Sequence, residues 1–100
     1  MDQINFDDFK KLDIRIGKIL SAKLLKLQVD FGTENRQILA GIAKFYPPEL
    51  LVGKLCPFAF NLAPKVMGEL ESQGMILCAD NGKPVLLHPG KEIPPGSIVK

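Results

Sequence analysis

The feature that most limits how this chain can fold lies between Lys23 and Ile42, where two runs of alternating apolar and polar residues are joined by one short turn. Leu25, Leu27, Val29 and Phe31 fall on one side of the first run and Lys26, Gln28 and Asp30 on the other, with Leu24 as the exception. A period of two marks a half-buried strand, because successive side chains leave a strand on opposite faces. Gly32-Thr33-Glu34-Asn35 supplies the turn, and Arg36 to Ile42 resumes with Ile38, Ala40 and Ile42 directed inward. The two runs predict an antiparallel hairpin with Lys26 and Arg36 together on its solvent face.

The flanks extend this hairpin into a sheet. From Leu12 to Leu20, apolar Leu12, Ile14 and Ile16 alternate with Asp13 and Arg15. A slip of phase at Gly17-Lys18 then keeps Ile19 on the inner face, which predicts a bulge and a bent strand. Only Ser21 and Ala22 separate this strand from the next, and neither favours a two-residue hairpin. The junction is expected to be either an unusual continuous bend or a place where residues are missing between Ala22 and Lys23. Lys54 to Leu62 is nearly continuous in apolar residues and reads as a strand covered on both faces. Met75 to Ala79 and Val85 to His88 read as two further strands.

Two short helices complete the plan. Asn5 to Leu12 has Asn5 or Asp7 as cap, acids in its first turn and lysines in its last, in accord with the helix dipole. Its Phe6 and Phe9 share a face and are expected to pack on this domain's own barrel, with a partner subunit as the alternative. Pro47 to Gly53 is opened by proline, stopped by glycine, and expected to plug a barrel end with Leu50 and Leu51. The proline- and glycine-paced tail from Pro89 to Gly96 can wrap a surface but not form a central strand. These elements describe an all-β OB-fold: a five-stranded Greek-key barrel with short flanking helices and a C-terminal extension, formed by residues 1–100 as one domain. Such barrels bind ligands on the second and third strands and on the loops after the first and fourth.

Composition removes several function classes. No apolar run approaches the roughly 20 residues of a membrane helix, and the start MDQINFDDFKK is too acidic and polar for a signal peptide, so a cytoplasmic protein is expected. Cys56 and Cys78 lie inside apolar runs, without a Cys-x-x-Cys pair and with His88 as the sole histidine. They read as buried free thiols; no metal site and no cofactor are expected. Asp13, Asp30, Glu49, Glu69 and Glu71 are scattered, and no nucleophile is spaced for a triad with His88, so no catalysis is expected. The formal net charge of +2 is too mild for indiscriminate coating of nucleic acid. Contact with nucleic acid would need local clustering or recognition of shape.

Asn61 to Ala79, NLAPKVMGELESQGMILCA, offers an amide (Asn61), a proline-fixed turn, a cation (Lys65), then Ser72, Gln73, Gly74 and the polarizable Met75. These are the parts of a binding surface on a loop between two strands.

The runs FDDFKKLDIRIGKI, KLLKLQVDFG, YPPELLVGK, NLAPKVMG and ESQGMILCAD, together with R-x-I-L-A-G-I-A and the closing PG-x-x-x-PPGSIVK, cover essentially the whole chain. In this order they resemble the tRNA-binding domain. That domain occurs as a small stand-alone protein, as the C-terminal appendage or beta subunit of methionyl-tRNA synthetase, and in endothelial-monocyte-activating-polypeptide-like proteins. The resemblance implies an OB-fold that binds tRNA by shape, without sequence readout, and that pairs as a homodimer through the segments flanking the barrel. Methionyl-tRNA synthetase is the further expected partner; a dimerisation or docking appendage with little RNA binding is the alternative. The RNA contacts are expected at Lys26, Arg36, Lys44, Asn61, Lys65, Ser72, Gln73 and Met75, and the dimer contacts at Phe6, Phe9, Leu86, Leu87, Pro89 and Ile98. The Csa chaperone branch of the same fold lacks SQGM, which favours the tRNA-binding branch. Two departures stand out: the short Ser21-Ala22 junction, and Val66-Met67 after Lys65 where a basic residue is usual.

Overall fold

The computed structural model describes residues 1–100. Helix α1 (Phe6–Lys10) precedes strands β1 (Ile14–Lys23), β2 (Lys26–Asp30) and β3 (Asn35–Leu39), a 3-10 turn (Gly41–Lys44) and helix α2 (Pro48–Leu51). Strands β4 (Leu55–Ala59), β5 (Lys65–Met67), β6 (Leu70–Ser72), β7 (Met75–Ile76), β8 (Cys78–Asp80), β9 (Pro84–Leu86) and β10 (Ile98–Val99) follow. The main sheet is antiparallel in the order β3-β2-β1-β4-β7, curls into an OB-like barrel, and carries β10 beside the start of β1. Strands β5–β6 and β8–β9 form two separate hairpins.

The predicted alternation in β2 and β3 is what positions the core. Leu27 lies opposite Ile38, and with Val29, Phe31 and Ile42 they join Ile19, Leu51, Cys56, Phe58 and Phe60 in a buried cluster. Phe31 is at its centre, edge-on to Phe58 at 5.4 Å and to Phe60 at 5.0 Å between ring centroids. Helix α2 begins at Pro48, where proline's missing N–H costs nothing, and ends before Gly53. It closes one end of the barrel with Leu51 alone, since Leu50 is 53% exposed. Leu50 and Leu51 are adjacent, and a single helical turn can present only one of them to the core.

Strand β1 departs from expectation in phase and in its ending. Gly17 and Ile19 face the core, and a Cβ on Gly17 would lie 2.5 Å from Val29 Cγ1 and 2.8 Å from Phe31 Cε1. Gly17 therefore marks a close approach of strands rather than a slip of register. Ile16 is also buried, on the opposite face and outside the central cluster. With adjacent Ile16 and Gly17 buried on opposite faces, hydrophobicity alone could not give the phase. The bulge falls instead at Leu20, where the pairing with β2 shifts between Ile19 and Ser21.

Ser21 and Ala22 are strand residues paired with Gln28 and Leu27. The turn is Leu24-Leu25, with Leu24 at φ +57, a left-handed conformation that a leucine rarely adopts. Helix α1 is capped by Asn5, whose Oδ1 accepts from the Asp8 N–H at 2.8 Å. It buries no residue: Phe6 is 70% and Phe9 44% exposed, so they do not pack on this domain's own barrel as expected.

Candidate nucleic-acid interface

The stretch from Asn61 to Ala79 divides into two parts with different tasks. Residues 61–71 are exposed, and their middle folds into the β5–β6 hairpin, with Lys65 opposite Ser72 and Met67 opposite Leu70. Sequence reasoning read this segment as a plain loop, because three-residue strands are too short to show a period. The segment after it turns inward. Ser72 is buried, its Oγ accepting from the Leu39 N–H at 3.0 Å and donating to the Gly74 carbonyl at 2.8 Å. The Gln73 N–H donates to the Gln37 carbonyl at 2.9 Å, and Gln73 Oε1 accepts from the Gln37 N–H at 3.2 Å. Gln37 Nε2 donates to the Glu71 carbonyl at 3.0 Å. These bonds close the barrel between β3 and the segment leading into β7.

Asn61 is also occupied. Its Oδ1 accepts from the Asp13 N–H at 2.8 Å and its Nδ2 donates to the Lys11 carbonyl at 2.6 Å, tying the end of α1 to the end of β4.

Arg36 does not share a face with Lys26. It lies opposite Val29 in the β2–β3 register, on the parity of Ile38, and so turns toward the barrel mouth. Its guanidinium sits 3.5 Å from the centroid of the Phe60 ring, donates to the Phe60 and Gln73 carbonyls, and pairs with Glu34 at 3.0 Å. A planar cation with a rigid fork of donors suits this mixed role of stacking and bonding. Arg15 reaches the same ring at 4.1 Å, and its hydrogen bonds to Asp13 raise its already high pKa. Arg36, Phe60, Asn61, Pro64 and Gln73 bound a cavity of about 500 Å³ at this mouth.

The remaining candidates are uncommitted. Lys26, Lys44 and Lys65 make no ion pair; Lys26 is half-buried on the outer face opposite Leu39, and the other two are exposed. Lys65 and Met75 come together with Leu62 and Met67 around a cavity of about 380 Å³. Lys44 lies apart, in a cleft with Phe45 and Lys83, neither of which the sequence singled out.

Of the expected dimer contacts, Phe6, Phe9 and Ile98 line one groove of about 630 Å³ between α1 and β10, together with Leu12 and Val99. Leu86 instead packs against the core, Leu87 is exposed, and Pro89 borders a different cleft. Both thiols are free, and burial favours their protonated form, pushing Cys56 up to about 11 and raising Cys78 as well. His88 Nδ1 donates to the Leu55 carbonyl at 2.7 Å, which fixes its tautomer.

Residues 14–98 match the family model of the tRNA binding domain. This chain belongs to that family. It is 50% identical over 106 residues to the methionine–tRNA ligase of Archaeoglobus fulgidus, covering 98% of this chain and 16% of the ligase. The tRNA-binding domain thus spans about one sixth of the relatives it matches and is their non-catalytic part. The aligned length exceeds the residues this chain contributes, so the ligase carries residues that are lacking here. Among solved structures, a MetRS-related protein from Pyrococcus horikoshii superposes with a TM-score of 0.90 at 38% identity, covering all of both chains. Chaperone CsaA from Bacillus anthracis superposes with a TM-score of 0.89 at 33% identity, over 99% of this domain and 100% of CsaA. No helix of the domain is long and apolar enough to cross a membrane.

Proposed function

We propose that residues 1–100 act as one non-catalytic domain that binds tRNA by shape, meeting its backbone through the β5–β6 hairpin and the uncommitted lysines. Lys65 offers charge beside the soft surface of Met67 and Met75, Lys26 and Lys44 meet further phosphates, and Gln73 Nε2 remains free for a sugar or phosphate oxygen. Ser72 and Asn61 belong to the scaffold, since their polar atoms are already bonded within the domain. Arg36 forms the wall of the mouth. The observation that carries the reading is that, of 13 lysines and arginines, only Lys11, Arg15 and Arg36 are paired with carboxylates.

A gel shift with total tRNA over a salt series tests it. Log affinity should fall as log salt rises, with a slope set by the few phosphates met. A flat salt dependence, or no shift at low salt, would sink the reading.

The α1–β10 groove supports pairing of two copies, which would place two weak RNA sites on one tRNA and raise avidity. In this reading the domain works in the cytoplasm, freely or beside a methionyl-tRNA synthetase. Should the groove be the main working surface, the domain is a docking appendage instead. Light scattering after size exclusion separates the cases: Phe9→Ala should yield a monomer with weakened tRNA binding, and a dimer that survives it rejects this interface.

A further inference from the structure

We infer that the cleft between the 3-10 turn and the β8–β9 hairpin holds one unpaired nucleotide, its base stacked on Phe45 and its phosphates on Lys44 and Lys83. The inference rests on the tRNA-binding reading and names a second point of contact away from the β5–β6 hairpin. Phe45 and Tyr46 are neighbours with opposite fates. Tyr46 packs against the core and its hydroxyl donates to the Pro84 carbonyl at 2.8 Å, which fixes the cleft's floor to the β8–β9 hairpin. Phe45 takes no part in the core and is 45% exposed. Its N–H donates to the Ile42 carbonyl at 2.9 Å, so the backbone beneath the ring is held.

The two lysines bordering the cleft make no ion pair, and no carboxylate lines it. The cavity is about 450 Å³, and Asn81 adds an amide able to bond a base edge. An uncommitted aromatic face between two free cations suits a base with its flanking phosphates, since any base can stack and only an unstacked one can enter. A duplex segment offers the lysines phosphates but offers the ring nothing.

The chain contains no tryptophan, so Phe45→Trp places a single fluorophore in the cleft. Its emission should be quenched by a short single-stranded RNA and by tRNA, and not by a blunt RNA duplex of equal length. Phe45→Ala should weaken single-stranded binding about tenfold while Phe45→Trp retains it, a loss within the range of one base–aromatic stack. Lys44→Ala with Lys83→Ala should weaken both RNA forms. Emission unchanged at saturating single-stranded RNA, or equal quenching by the duplex, overturns the inference. Equal quenching by a free nucleoside monophosphate also overturns it, in favour of a small-nucleotide site. If wild type binds no tRNA, the tRNA-binding reading fails. If wild type binds and Phe45→Ala binds as well, only this inference fails.

Discussion

Residues 65–71 of the β5–β6 hairpin and the Ser72–Gly74 segment that follows them are contiguous, similarly polar, and opposite in use. In residues 65–71, Lys65 and its neighbours face solvent and pair along the short ladder, with the Glu71 carbonyl also accepting from Gln37 Nε2. In the next three residues a serine is buried, a glutamine side chain replaces a strand, and Gly74 at φ +139 rests against the Ala59 carbonyl. Polar residues in a loop are not a binding surface until the partners inside the fold have been counted. The candidates left after that count are Lys65 on the hairpin, Met75 on β7 beside it, and the free Nε2 of Gln73.

The division can be broken most forcefully at Gly74. A Cβ there would lie 2.7 Å from the Ala59 carbonyl oxygen in a backbone conformation that L side chains avoid. Gly74→Ala should cost about 3 kcal/mol of unfolding free energy, measured by urea denaturation. Ser72→Ala comes next: it leaves the Leu39 N–H without its acceptor and should cost about 2 kcal/mol, while tRNA affinity, measured well below the melting transition, stays within twofold. Lys65→Ala should do the reverse, changing stability by less than about 0.5 kcal/mol. It should lower tRNA affinity several-fold and reduce the steepness of the salt dependence by about 0.7–0.9, the loss of one phosphate contact. Equal effects of Ser72→Ala and Lys65→Ala on affinity would erase the division.

The smallest effect lies outside both parts and needs only a pH series. Burial holds the Cys56 thiol protonated up to about 11, against 9.0 for an ordinary cysteine. The stability this lends is complete below pH 9 and is lost as pH rises toward 11, because the unfolded thiol ionises first. Denaturation midpoints should decline over that window, and Cys56→Ala should remove part of the decline.

Much of this was legible in the sequence, for physical reasons. The strict alternation of Leu27, Val29 and Phe31 against Ile38 gave the central hairpin, since one wet face leaves only one register that hides every apolar residue. Proline and glycine bounded α2 correctly. The failures came where burial is two-sided or polar. Arg36 has the parity of Ile38 and so had to point inward, but its charge argued for solvent; the Phe60 ring, distant in sequence, resolves that conflict. Gly17 looks like a bulge in one dimension and proves to be a space for Phe31 in three. The roles of Asn61 and Ser72 depend on Lys11 and Leu39, remote partners that a linear reading cannot supply.

The barrel's closing edge has one more consequence. Four hydrogen bonds join β3 to residues 71–73, and three of them use the side chains of Gln37, Ser72 or Gln73. A ladder of backbone groups is indifferent to which residues it joins, whereas a clasp made of side chains must be spelled correctly to fasten. Substitutions in the exposed part of the hairpin leave this closure untouched, while the letters of the clasp admit few alternatives.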